Sequence, residues 1–185
     1  MWRLCSACVV LMLVPTLSPA QSGHSPYTGQ EARAIKALSD DEIQALLNGQ
    51  GMGLAKAAEL NHYPGPRHVL DMASQLGLSE IQRTEAQRIY DRMHHEAIRL
   101  GNLLIAKESE LDRLFASNEI DAPTLQRVVQ AIAQLQGELR ITHLQAHLDM
   151  KHILSSDQVV QYDVLWGYRA SGQADAPSTH QHGKH

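Results

Sequence analysis

Aromatic residues are scarce in this chain of 185 residues, with one Phe, two Trp and five Tyr. A large aromatic core is thereby excluded, and the length allows one modest domain. Cysteine is scarcer still: Cys5 and Cys8 both lie near the N-terminus, so the body of the chain has no disulfide and no cysteine catalysis available to it. A basic excess is also missing. The 16 Lys and Arg against 20 Asp and Glu give a formal charge of -4 with His neutral, which argues against a nucleic-acid surface. Histidine is the excess, at eleven residues, and imidazole is the side chain that changes charge near neutrality and binds metals when neutral.

The first twenty residues place Arg3 before the apolar run Leu4 to Val14 and Ser18-Pro19-Ala20 before Gln21, the layout of a cleaved secretory signal. That run is too short for the ~20 residues a permanent membrane span requires. Residues 169–185 mix Gly, Ser, Pro, Gln and His without apolar periodicity and include His180, His182 and His185, as expected of a disordered tail with weak metal affinity at most. Residues 21–66 form an N-terminal region of short helices and linker, and 67–168 form the main domain.

Sustained apolar-polar alternation is absent, whereas a 3.6-residue apolar period runs through most of the body, so the expected fold is all-α. Ser39 with Glu42 predicts a capped helix that stops at Asn48-Gly49, and a second short helix covers Leu54 to Leu60. Tyr63-Pro64-Gly65-Pro66 breaks the chain before a helix from Arg67 to Leu76 that ends at Gly77. Two long helices follow, over Ser79 to Ala116 and Ala122 to Leu154, then a last one from Ser156 to Trp166. The long pair predicts an elongated antiparallel hairpin, expected to dimerise.

One stripe of the first long helix carries Ile89, Met93, Ala97, Leu100, Leu104, Leu111 and Leu114, with Leu78 just before it. The facing stripe carries Leu125, Val128, Ile132, Leu135, Leu139, Ala146, Met150 and Ile153. Ile98, Ile105, Ile141, Leu144 and Leu148 fall off these stripes and need cover from the short helices or a second copy. Gly101 and Gly137 cost helix stability at nearly the same level of the hairpin, which predicts a close helix crossing there. Gly49-Gln50-Gly51-Met52-Gly53 lacks the preceding strand and following Lys-Ser or Lys-Thr of a phosphate loop, and is expected to be flexible linkage.

Leu78-Ser79-Glu80-Ile81-Gln82 and Leu154-Ser155-Ser156-Asp157-Gln158 repeat one pattern, Leu-Ser-x-x-Gln, at the beginning and end of the hairpin. Each is a helix start, in which Ser caps the N3 amide and Gln reaches back to the cap residue. Two such motifs around a long hairpin behind a signal peptide resemble the Spy/CpxP family of periplasmic proteins, whose pattern has Thr where this chain has Ser. The resemblance extends over residues 67–166 and includes the ZraP and CnrX-like heavy-metal sensors. It implies a helical, usually dimeric, non-enzymatic periplasmic protein that either responds to metal or holds unfolded clients without ATP.

His143-Leu144-Gln145-Ala146-His147 puts two imidazoles one turn apart on a helix, the spacing at which both reach one cation. Antiparallel pairing about the loop near Asn118-Glu119 sets His143 level with His94. His94, His143 and His147 are therefore the candidate metal ligands, with Met93 or Met150 available to a softer ion. The competing reading leaves these histidines straddling core and solvent. CnrX-like sensors add a His-x-x-x-Met segment, whereas Lys151 stands four residues after His147, so that ligand set is not reproduced residue by residue. His62 and His68 around the Pro-Gly-Pro turn are secondary candidates.

No catalytic triad or metalloprotease motif is present. The expected function is heavy-metal sensing or resistance through zinc, nickel, cobalt or copper. The alternative is an ATP-independent chaperone for unfolded envelope proteins. A homodimer and a membrane sensor or regulator are the expected partners on the first reading, unfolded clients on the second; nucleic acid is expected on neither.

Overall fold

A computed structural model describes residues 25–169, which fall into two units divided between Ala32 and Arg33. The signal expected at 1–20 and the tail histidines lie outside the described residues. The first unit contains a turn in which the Thr28 hydroxyl donates to the Ser25 carbonyl at 2.8 Å, followed by a 3-10 turn at Gln30–Ala32.

The second unit is built from helices: α1 (Asp40–Leu47), α2 (Lys56–Glu59), α3 (Pro66–Asp71), α4 (Glu80–Ala116), α5 (Ala122–Ile153) and α6 (Ser156–Trp166). No strand occurs among the described residues, as the 3.6-residue period predicts. The 37-residue α4 and 32-residue α5 pack on each other as the expected hairpin; α1 and α3 lie on α4, and α2 and α3 on α5. At α1 the capping box forms as read from sequence, Glu42 N–H donating to Ser39 Oγ at 3.2 Å and Ser39 N–H to Glu42 Oε2 at 2.8 Å. The hairpin turn ends α4 with Asn118 in the left-handed region and starts α5 with Asp121 accepting from Thr124 N–H at 2.9 Å.

The two Leu-Ser-x-x-Gln motifs are capping boxes, and the fold brings them together. Gln82 Nε2 donates to Gln158 Oε1 at 2.7 Å, and Gln158 Nε2 donates to Gln82 Oε1 at 3.1 Å. Each Oε1 also accepts its own cap N–H, from Ser79 at 3.0 Å and Ser155 at 2.9 Å. The remaining amide capacity goes to the Ile153 and Leu76 carbonyls. Leu78 and Leu154 are buried beneath this ring. The motif therefore closes the base of the hairpin and ties α6 to the start of α4.

Two apolar clusters form the core. Near the base, Val69, Leu78, Ile89, Ala146, Met150 and Tyr162 pack together with their neighbours. Further along, Leu46, Ala97, Leu100, Leu104, Val128, Ile132 and Leu139 form the second. Along α5 the buried stripe runs Leu139, His143, Ala146, Met150. His143 therefore occupies a core position where the two clusters meet, rather than straddling core and solvent.

The two helical glycines behave differently. A Cβ on Gly101 would overlap the Leu46 carbonyl oxygen, so α1 crosses α4 at backbone contact there. A Cβ on Gly137 would meet nothing within 4 Å. The expectation of a close crossing at both positions is corrected for Gly137, because α1 packs closely on α4 and leaves an open space beside Gly137. Leu125, placed on the buried stripe by periodicity, is exposed, since it lies on the first turn of α5 beyond the reach of the second cluster. The helices at 54–60 and 67–76 are shorter than expected because turns occupy residues 52–55 and 72–77.

Candidate metal centre

A cavity of about 660 Å³ opens where the two core clusters meet. Its wall includes His143 and His147 from α5, and Tyr90, Met93 and His94 from α4, the level set by antiparallel pairing. The loops after α1 and before α3 supply Gly49, Gly51 and Gly65.

Each glycine faces one of the three histidines. A Cβ on Gly49 would lie 3.0 Å from His94 Cδ2, one on Gly51 would lie 3.8 Å from His143 Nδ1, and one on Gly65 would lie 3.1 Å from His147 Cε1 and 3.3 Å from its Nε2. Gly49 is doubly constrained. Its φ of +58° ends α1 in a Schellman turn, with Gly49 N–H donating to Leu46 O at 3.1 Å and Gln50 N–H to Ala45 O at 2.9 Å. The Gly49–Gly53 segment, expected to be flexible linkage, is thus a fitted wall of the cavity.

Backbone carbonyls fix two of the three tautomers. His147 Nδ1–H donates to the Tyr63 carbonyl at 2.7 Å, and His94 Nε2–H donates to the Asn48 carbonyl at 3.1 Å. Because a carbonyl only accepts, the neutral ring of His147 keeps its lone pair on Nε2 and that of His94 on Nδ1. Tyr90 stacks on the His94 ring with centroids 5.3 Å apart.

His143 differs from both. It is 4% exposed, and its Nε2 is buried with no hydrogen-bond partner. Burial holds its pKa below the ordinary histidine range, and the nearby His147 and His94 lower it further. The neutral ring, which can ligate, is therefore favoured to lower pH than in an ordinary histidine.

Behind His147 lies a polar group that sequence reading missed. Glu59 Oε2 is 3.4 Å from His147 Nδ1, while Glu59 Oε1 accepts from the buried Tyr162 hydroxyl at 2.5 Å. Gly65 N–H donates to the same hydroxyl at 3.4 Å. Burial pushes the Glu59 carboxyl up, but the hydrogen bonds from His68 and Tyr162 and the positive potential of His147 and His68 outweigh it and leave the net shift downward. The Tyr162 phenol is pushed up, first by burial and then by this carboxylate. The Pro-Gly-Pro turn and His147 are therefore clamped by α2 and α6 together.

His68 lies 3.7 Å from Glu59 Oε1 and stacks on Trp166 at 4.1 Å, at the edge of the same cavity. His62 turns elsewhere, its Nδ1 2.9 Å from buried Asp163, which Arg169 also approaches at 3.2 Å. Met150 is fully buried in the basal cluster and is withdrawn as a soft ligand.

The donor chemistry fits a transition-metal ion: three imidazoles, two with defined lone-pair nitrogens and one with an orphaned buried nitrogen, in a cradle kept open by glycines. Among the described residues no three His, Cys, Asp or Glu side chains already stand at ligand spacing. The imidazoles share a wall without standing at ligand spacing, so capture requires the wall around the two carbonyl-held rings to adjust.

The sequence profile of a family described as heavy-metal resistance matches residues 43–161. That span includes both Leu-Ser-x-x-Gln motifs and His94, His143 and His147. No curated protein and no solved structure matches the chain.

Proposed function

The chain belongs to the heavy-metal resistance family, and from that premise we propose that it is a non-enzymatic periplasmic protein that captures a transition-metal ion between His94, His143 and His147 and so buffers or reports metal stress. The observation that carries this reading is the orphaned Nε2 of His143, buried in a core position beside a cavity shared with two other imidazoles. An unpaired buried nitrogen costs stability, and a metal ion is a partner able to recover that cost.

His147 and His94 offer fixed lone pairs because the Tyr63 and Asn48 carbonyls hold their protons, and His143 supplies the third nitrogen. The bound ion would contribute charge and cross-linking, not reaction chemistry. By mass action it would stabilise the folded chain by about 2.7 kcal/mol at a hundredfold excess over Kd. No described helix is long and apolar enough to cross a membrane, and the signal-like layout read from the sequence of residues 1–20 supports a periplasmic location.

Calorimetric titration with zinc and nickel tests the reading, using the full chain with Cys5→Ser, Cys8→Ser and alanine at His180, His182 and His185. Saturable one-site uptake, lost in His143→Ala/His147→Ala, is expected; uptake unchanged by that pair of substitutions would refute it. A second reading, an ATP-independent chaperone, draws on Ile141 and Leu148, off-stripe residues that remain exposed. It predicts suppression of client aggregation at an equimolar ratio. Homodimerisation, part of both readings, is checked by solution mass.

A further inference from the structure

Beyond Met12 the only sulfur in the chain is in Met52, Met72, Met93 and Met150. Met72 and Met150 are packed into the basal core. The other two, Met52 and Met93, both line the histidine cavity, one from the loop after α1 and one from α4. Met93 also packs against the basal core and Met52 also borders an apolar cavity with Leu46 and Leu104, so both reach the histidine wall from the margins of packed regions.

Met52 is there at a cost. Its φ of +43° lies in the left-handed region that residues with a Cβ rarely adopt, and its side chain is 44% exposed. Glycine would satisfy that backbone better, as at Gly49 and Gly53 on either side, and a polar residue would suit the exposure. Turn geometry does not account for a methionine at this point, and with 44% of it exposed the neighbouring apolar cavity accounts for it only in part, whereas a ligand that binds sulfur accounts for the rest. Apart from the histidines, the ionisable side chains in the wall include Arg67 and Asp71, which are opposite in sign. They supply no net negative charge to favour a dication over a monocation.

We propose that the cavity is a site for a soft monovalent cation, copper(I), in which Met52 and Met93 add thioether ligands to the imidazoles of His94, His143 and His147. The inference rests on the metal-capture reading and deepens it, because soft thioethers select copper(I) while imidazole alone is shared by zinc, nickel and cobalt. Met52 comes from the loop after α1 and Met93 from the long helix α4.

Silver(I), which needs no protection from oxygen, is the probe. The full chain with Cys5→Ser, Cys8→Ser and alanine at His180, His182 and His185 is titrated calorimetrically with silver nitrate in chloride-free buffer, and separately with zinc. Silver is expected to bind more tightly than zinc, and M52L/M93L is expected to weaken silver by about tenfold or more while leaving zinc within about twofold. In the unsubstituted methionine background, the methyl NMR signals of Met52 and Met93 are expected to shift with silver while those of Met72 and Met150 stay in place. This second readout does not depend on the double variant folding. Silver binding no tighter than zinc, or unmoved methyl signals of Met52 and Met93, would overturn the thioether site and leave metal capture standing. Binding of neither ion would overturn both.

Discussion

Substituting alanine for Gly101 tests the packing that positions the site. A Cβ there would overlap the Leu46 carbonyl oxygen and lie 2.9 Å from the Leu46 carbonyl carbon, against 3.4–4 Å for ordinary contact. The obstacle is backbone at the end of α1, so no side-chain rotation relieves it and the last turn of α1 must move outward. Overpacking of this kind costs about 1–3 kcal/mol, and the gain in helix propensity returns about 1 kcal/mol. A net loss of about 1–2 kcal/mol is expected because the clash is with main chain. At Gly137, where a Cβ would meet nothing within 4 Å, only the propensity gain of about 1 kcal/mol remains. Urea denaturation of Gly101→Ala and Gly137→Ala measures both, and their midpoints should move in opposite directions at unchanged slope. Gly101→Ala should also weaken metal uptake, since the turn it displaces carries the Asn48 carbonyl that holds His94. Equal stabilisation by the two alanines would refute the close crossing and the path assigned to the loop beyond it.

Three further outcomes follow from individual contacts. Gln82→Ala and Gln158→Ala should each destabilise by about 1–2 kcal/mol, and the double variant should cost less than their sum, because each glutamine lends the other a donor and an acceptor; additive losses in denaturant would count against the paired ring. Burial holds the Glu108 carboxyl above the ordinary range, so the folded state keeps its proton to higher pH than the unfolded chain does. The associated stability is full below the unfolded value and is lost as pH rises through the folded one. Glu108→Gln should therefore be more stable than the parent at pH 7, an advantage that vanishes near about pH 4 in pH-dependent thermal melts. Gly65→Ala places a Cβ 3.3 Å from His147 Nε2 and should lower metal affinity in calorimetry by about tenfold, whereas Gly51→Ala, at 3.8 Å from His143, should leave it nearly unchanged.

Helix ends were legible because their signals are local: Ser39 with Glu42, Asn48-Gly49 and both Leu-Ser-x-x-Gln motifs act within a turn of themselves. Hairpin pairing was legible too, since two long helices joined by a short turn leave one antiparallel register, and that register puts His94 beside His143. The site's remaining parts depend on contacts distant in sequence: Asn48 with His94, Tyr63 with His147, Gly65 with Tyr162. Nothing in the composition of Gly49–Gly53 distinguishes a slack linker from a wall fitted against an imidazole. The difference lies in where α1 crosses α4, which only the Gly101 contact determines. Met150 and Met93 both fall on apolar stripes and both pack in or against the basal cluster, and only the cavity's position distinguishes fully buried Met150 from Met93, which also lines the cavity.

His143 makes the competition between packing and function measurable. Its position on the buried stripe, between Leu139 and Ala146, is one at which an aliphatic side chain is the ordinary choice. An imidazole there leaves Nε2 unpartnered, a loss of about 1–3 kcal/mol relative to a paired or apolar group. A residue kept for packing would not carry that penalty, whereas a ligand would, because the nitrogen must face the cavity to be of use. His143→Leu should accordingly raise the midpoint of the metal-free chain by about 1–2 kcal/mol in denaturant while eliminating metal uptake. At acid pH the gap should widen, since burial depresses the His143 pKa and the unfolded chain takes up a proton there before the folded one does. A His143→Leu chain less stable than its parent without metal would mean that the ring is held by contacts the fold needs. The histidines of α5 would then be core residues rather than ligands.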